Sequence, residues 1–115
     1  MKTYHNHRAE PYFSFLKNGQ KTIEGRLHKG WYRMVKPGDR IRVYSEDESD
    51  SITTEVLGAR RYATILEMLD REAQSKMLPD ANTQEDGLAI YRKFYTKEDE
   101  EKYGMVAIEV RLVKD

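Results

Sequence analysis

Four stretches of this chain alternate in the manner of strands, and their placement constrains the fold more than any other feature. Residues 21–27 set Thr22, Glu24 and Arg26 on one side and Ile23 on the other. Residues 40–44 turn Ile41 and Val43 one way and Arg40, Arg42 and Tyr44 the other. Residues 52–62 continue the pattern, with Gly58 expected at a bulge. The last stretch, residues 105–113, stands apart. It sends Val106, Ile108, Val110 and Leu112 to one face, and Met105, Ala107, Glu109 and Arg111 to the other. Between residues 62 and 105 the period becomes helical. Strands early, helices clustered late and one closing strand predict an α+β fold with an antiparallel or mixed sheet, not βαβ repeats.

The punctuation between these stretches is consistent with that order. Residues 1–10 are polar and read as an arm or a first strand. Pro11 can open a short helix carrying Tyr12, Phe13, Phe15 and Leu16, because its missing N–H costs nothing in a first turn. Asn18-Gly19 stops that helix, with Gly19 suited to a left-handed cap. Residues 28–35 read as a loop, Lys36-Pro37-Gly38-Asp39 as a tight turn, and residues 46–51 as a solvated hairpin loop. Thr64, with Glu67 three residues on, caps a helix running through residue 72. Pro79 interrupts the chain. Asn82 or Thr83 starts a second helix with Leu88, Ile90, Tyr91, Phe94 and Tyr95 on its apolar stripe. Thr96 and Asp99 cap a third over residues 97–102. One domain over residues 1–115 is expected, since 115 residues support one good core.

Composition excludes several classes. There is no cysteine, hence no disulfide and no thiolate zinc site. No apolar run is long enough to span a bilayer, and the first ten residues lack the apolar centre of a secretory signal, so a cytoplasmic protein is expected. His5-x-His7 has the spacing of a metal pair on one strand face, but only Glu10 lies near it, and no metal or other cofactor is expected. Ser14, Ser45 and Ser49 lack a His–Asp companion pattern.

Charge is polarised. Residues 1–44 hold ten Lys and Arg against three Asp and Glu, a net of +7, and the remainder balances it at −7. Either the basic part meets a polyanion or the two parts pair in space.

The residues richest in chemical possibility are Gly19-x-Lys21-x-x-Glu24-x-Arg26. Glu24 and Arg26 share a strand face, roughly 6.6 Å apart along it, so they can pair or both face a ligand. Lys21 falls on the other face by strict alternation, but it sits at the helix-to-strand turn, where alternation need not hold. Gly25 leaves room for a close approach. An ordinary surface ion pair is the alternative reading.

This spacing resembles the G-x-K-x-x-E-x-R signature of the ASCH family. The Lys36-Pro37-Gly38-Asp39 turn into Arg40-Ile41-Arg42-Val43 is similar to that family's second landmark, and residues 103–110 resemble its closing strand. The resemblance runs from about Pro11 to Leu112, and Tyr91-Arg92-Lys93-Phe94-Tyr95 is most similar to small stand-alone archaeal and bacterial members. It implies a PUA-like β-barrel of about five to six strands flanked by helices, with RNA or a nucleotide as partner in a cleft beside the signature. Lys21, Arg26, Trp31, Arg33, Arg40 and Arg42 are then the expected nucleic-acid contacts. Tyr12, Phe13, Trp31 and Tyr32 are candidates for stacking on bases, with core packing as the alternative for the first two.

Some relatives resemble hydrolases, including a branch acting on N4-acetylcytidine with a Lys, a Thr and a Glu. Lys21 matches that Lys, Glu24 stands where the Thr would fall, and Glu72 is a candidate for the Glu. If the chain is an enzyme, Lys21, Glu24 and Arg26 are the expected catalytic residues. Glu24 would act as base and Lys21 or Arg26 would stabilise developing negative charge. A third reading is a protein-interaction module using the acidic surface of residues 80–101.

Overall fold

The computed structural model describes residues 1–114. The chain forms β1 (Thr3–Arg8), α1 (Tyr12–Lys17), β2 (Ile23–Leu27), a 3₁₀ turn (Gly30–Arg33), β3 (Arg40–Ser45) and β4 (Ser51–Tyr62). It continues through α2 (Ile65–Arg71), α3 (Gln74–Met77), α4 (Gln84–Arg92) and α5 (Lys97–Tyr103) to β5 (Met105–Val113). The fold is α+β, as expected, with five strands. The polar first residues are a strand, residues 28–35 carry the 3₁₀ turn, and α3 is an additional turn of helix after Arg71.

The strands form one sheet in the order β1-β3-β4-β5-β2. β1 runs parallel to β3, and the other three pairings are antiparallel. The register of β4 against β5 shifts between Val56 and Gly58, at the predicted bulge. In a flat sheet the edge strands β1 and β2 would stand about 19 Å apart, four strand spacings. Instead Arg8 of β1 forms an ion pair with Glu24 of β2. The sheet is therefore rolled into a half-barrel whose two free edges face each other.

Rolling divides the core in two. Inside the curl lie Ile41, Val43, Val56, Val106, Ile108 and Val110, closed at one end by Phe13 and Leu16 of α1. Outside it, α2, α3 and α4 cover the sheet through Ile65, Met68, Leu69, Met77 and Tyr91, which meet Met105 and Ala107. The alternation of β5 is as expected, but its first half is buried on both faces. Met105 and Ala107 do not share the exposure of Arg111, because the helices cover only that end of the strand.

Side-chain caps hold the helices where predicted. Thr64, Thr83 and Thr96 each accept from the backbone N–H three residues on, and Thr96 with Asp99 completes a capping box. Gly19 takes φ +85° after α1. Among the described residues no helix is long and apolar enough to cross a membrane.

Candidate functional site

The seam where β1 faces β2 opens into a cleft of about 190 Å³. Its floor comes from the strands: Arg8 of β1, and Glu24, Gly25 and Arg26 of β2. Lys21 enters from the turn before β2. Tyr12 comes from α1, and Tyr91, Phe94 and Tyr95 from α4 and the residues after it. Three cations and one carboxylate thus converge in a space walled by aromatic rings.

Glu24 is the anchor. It is 2% exposed. Burial works against its charge, but Arg8, Arg26 and Lys21 outweigh that and hold its carboxyl below the usual range. The hydrogen-bonded partner of Glu24 is Arg8, not Arg26. Arg26 shares the face of Glu24 as expected, and it turns its guanidinium over the Tyr32 ring, 4.9 Å from the centroid. One of its nitrogens lies 3.5 Å from Tyr95 Oη, to which it donates.

Lys21 escapes strand alternation because β2 begins only at Ile23. Its backbone N–H donates to Phe15, and that of Thr22 to Lys76, so the segment is held by α1 on one side and the residues around α3 on the other. The ammonium is 5% exposed and donates to the carbonyls of Ile23 at 2.8 Å and Met77 at 2.6 Å. Burial lowers its pKa to about 7; Glu24 opposes the shift, while Arg8 and Arg26 add to it.

The walls differ in character. Tyr91 is buried, and burial raises its pKa. Its hydroxyl, like Nε of Arg8 and of Arg26, has no hydrogen-bond partner among the described residues. Tyr12 donates to Asp80 at 3.4 Å. Phe94 stands at the mouth, 57% exposed.

The structure brings Lys21, Glu24 and Arg26 together. Trp31 lies beside them, stacked on Tyr4 with ring centroids 4.5 Å apart and lining an adjoining hollow with Arg26. Arg33 is exposed and donates to the Gly30 carbonyl. Arg40 and Arg42 do not line the cleft. They project from β3 opposite the core residues Ile41 and Val43, and Arg42 donates to Thr53 and Ser51. Of the stacking candidates, Phe13 is core, whereas Tyr12 is wall. Glu72 lies away from the cleft, gripped by two nitrogens of Arg60 at 2.7 Å each and by Tyr62. Among the described residues no cluster of three metal-ligating side chains occurs. Sequence reading missed Arg8. Its only signal was a cation among the alternating residues of an unassigned first strand.

Comparison with known proteins follows the same outline. The ASCH domain family model matches residues 8–114. The crystal structure of hypothetical protein PH0355 is 39% identical and superposes with a TM-score of 0.86, over 98% of this chain and all of that one. A solution structure of protein PF0455 from Pyrococcus furiosus is 34% identical, with a TM-score of 0.77 over 98% of this chain and 99% of that one. The ASCH domain of Lactobacillus crispatus JV V101 shares the fold at 14% identity, with a TM-score of 0.57 over 95% of this chain and 79% of that one. A search of curated proteins finds no match.

Proposed function

The chain belongs to the ASCH domain family, and from that premise we propose that its seam cleft takes up a single unstacked base of RNA or of a nucleotide. The observation that carries this reading is the convergence of Arg8, Lys21 and Arg26 on one buried carboxylate inside an aromatic-walled space. A cleft of about 190 Å³ is smaller than the ~300 Å³ at the low end of pockets that enclose whole drug-sized ligands, and it suits one flat ring. Tyr91, Tyr95 and Phe94 offer faces for that ring. Glu24 accepts from an exocyclic amino group such as N4 of cytosine. Lys21 and Arg26 meet base oxygens or the phosphate.

A second reading rests on Lys21. An amine with a pKa of about 7 is half unprotonated at neutral pH and suits general-base work. In that reading the roles expected from sequence are exchanged, because Glu24, held ionised at low pH, is the weaker base. Lys21 takes a proton from water, whose oxygen bonds to the acyl carbon of an N4-acylated cytosine. The C–N bond then breaks, and the Lys21 ammonium returns the proton to the departing amine, giving acetate and cytidine.

One experiment separates the two. The protein is incubated with N4-acetylcytidine and with a short single-stranded RNA, and products are followed by mass spectrometry while RNA binding is followed by anisotropy. Binding without product, weakened by Lys21→Ala and by salt, is the outcome for a binding domain. Product lost in both Lys21→Ala and Glu24→Ala is the outcome for a hydrolase. Neither would remove both readings and turn attention to the acidic surface of residues 80–101.

A further inference from the structure

The cleft has a neighbour. A second hollow of about 300 Å³ is lined by Leu27, Lys29, Gly30, Trp31 and Tyr32, together with Arg26 and Tyr95, which line the first cleft as well. Arg26 is the shared wall, with its guanidinium over the Tyr32 ring and reaching Tyr95 Oη. Trp31 contributes a half-buried indole, backed by Tyr4 with ring planes 9° apart and flanked by Tyr32 with centroids 4.0 Å apart. The ring is thus held in position before any ligand arrives.

The surroundings are cationic. Lys29 and Arg33 are exposed and form no ion pair among the described residues. Arg61 and Arg33 lie near enough to His28 to disfavour its protonation, after burial itself. Lys29 rests over Tyr103, 5.0 Å from the ring centroid. The basic excess of residues 1–44 is only partly consumed by the acidic remainder, since ion pairs between the two parts are confined, among the described residues, to His7–Glu48 and Lys17–Asp50.

We infer that the Trp31–Tyr32 hollow is a second base subsite continuous with the first, so that the ligand is a single-stranded oligonucleotide rather than a free nucleoside or mononucleotide. This inference rests on the base-binding reading of the seam cleft and adds the class of ligand to it. One nucleotide cannot reach both hollows across Arg26, whereas two adjacent ones can place a base in each. Arg26 is then available to the phosphate joining them, and Lys29 and Arg33 to the phosphate beyond. Stacking platforms beside a cationic track are the general means of holding single strands without reading every base edge.

Trp31 is the only tryptophan of the chain, so intrinsic fluorescence reports on this hollow alone. The protein is titrated with cytidine monophosphate and with a pyrimidine RNA tetranucleotide, following calorimetric binding and tryptophan emission together. The tetranucleotide is expected to bind at least about tenfold more tightly and to quench Trp31, and the mononucleotide to bind without quenching. Trp31→Leu should remove most of that length preference and leave mononucleotide affinity unchanged. Should loss of the Tyr4 stack unfold that variant, Lys29→Ala/Arg33→Ala, both at exposed positions, must still lower tetranucleotide affinity and its salt dependence but not mononucleotide affinity. Equal affinities with unchanged emission would overturn the second subsite while leaving the seam reading intact. Failure of both ligands to bind would overturn the two together.

Discussion

The hydroxyl of Tyr91 occupies the space in front of Gly25: a Cβ built on that glycine would lie 2.6 Å from the Tyr91 oxygen and 2.8 Å from the terminal methyl carbon of Met68. The glycine between Glu24 and Arg26 is therefore a packing requirement of the helical face. It lets α4 settle close to β2, which brings Tyr91 into the cleft wall. Gly25→Ala should destabilise the fold by about 1–3 kcal/mol, the ordinary range for overpacking. Chemical denaturation measures this. Adding Tyr91→Phe, which removes the oxygen, should recover part of the loss. A single variant as stable as wild type would show that α4 is not seated against β2.

The Arg8–Glu24 pair joins the two free edges of the half-barrel, and both side chains are largely buried. Removing one member leaves the other without its partner, which in buried pairs costs about 3–5 kcal/mol. Glu24→Ala should be the more damaging single change, because it leaves Arg8, Lys21 and Arg26 facing one another. The double variant with Arg8→Ala should lose less than the sum of the singles. Additive losses in a denaturation cycle would mean that the pair does not hold the seam. In Glu24→Gln, Lys21 loses the carboxylate that supports its charge, and its pKa should fall below about 7.

Glu72 tests the boundary of the site. Its carboxylate is tied to Arg60 and Tyr62, away from the cleft, and the Arg60 hydrogen bonds are the main reason its pKa is lowered. Glu72→Ala should cost stability, about 1.5–3 kcal/mol for lost hydrogen bonds to a charged group. It should leave RNA binding and any turnover unchanged. Loss of turnover at retained stability would move the catalytic centre to the α2 end of the molecule.

The parts of this molecule that were legible in the sequence are those set by local rules. Lys21, Glu24 and Arg26 were found because they sit within six residues, on and just before one strand. The threonine caps at positions 64, 83 and 96 were found because capping needs only a three-residue spacing. Arg8 was not found, since its relation to Glu24 arises from the roll of the whole sheet and from the parallel pairing of β1 with β3, which no local pattern encodes. For the same reason Arg40 and Arg42 were grouped with the cleft. Their alternation was right, but which face of β3 looks toward β2 depends on the direction of the curl. α3 has four residues and no side-chain cap, so it left no signature between residue 72 and Pro79.

Lys21 makes stability and ligand affinity depend on pH in opposite directions. Its pKa falls from about 10.5 in the unfolded chain to about 7 in the fold. Between those values the unfolded chain holds a proton that the folded chain lacks, so raising the pH across this window favours folding, by at most about 1.4 kcal/mol per pH unit. Below pH 7 the amine is protonated in both states, and the full cost of burying the charge remains. Lys21→Met has no such group, and its stability should lack this rise. Affinity runs the other way. A ligand that meets the ammonium through phosphate or base oxygens loses that contact as the amine deprotonates, so RNA affinity of the wild type should begin to fall near pH 7. Denaturation midpoints and anisotropy titrations at matched pH values measure both. A wild type whose stability parallels Lys21→Met from pH 7 to 9 would mean that Lys21 keeps its proton throughout. The general-base reading would then have no unprotonated amine to work with, while a cation fixed beside Glu24 would still serve the binding reading.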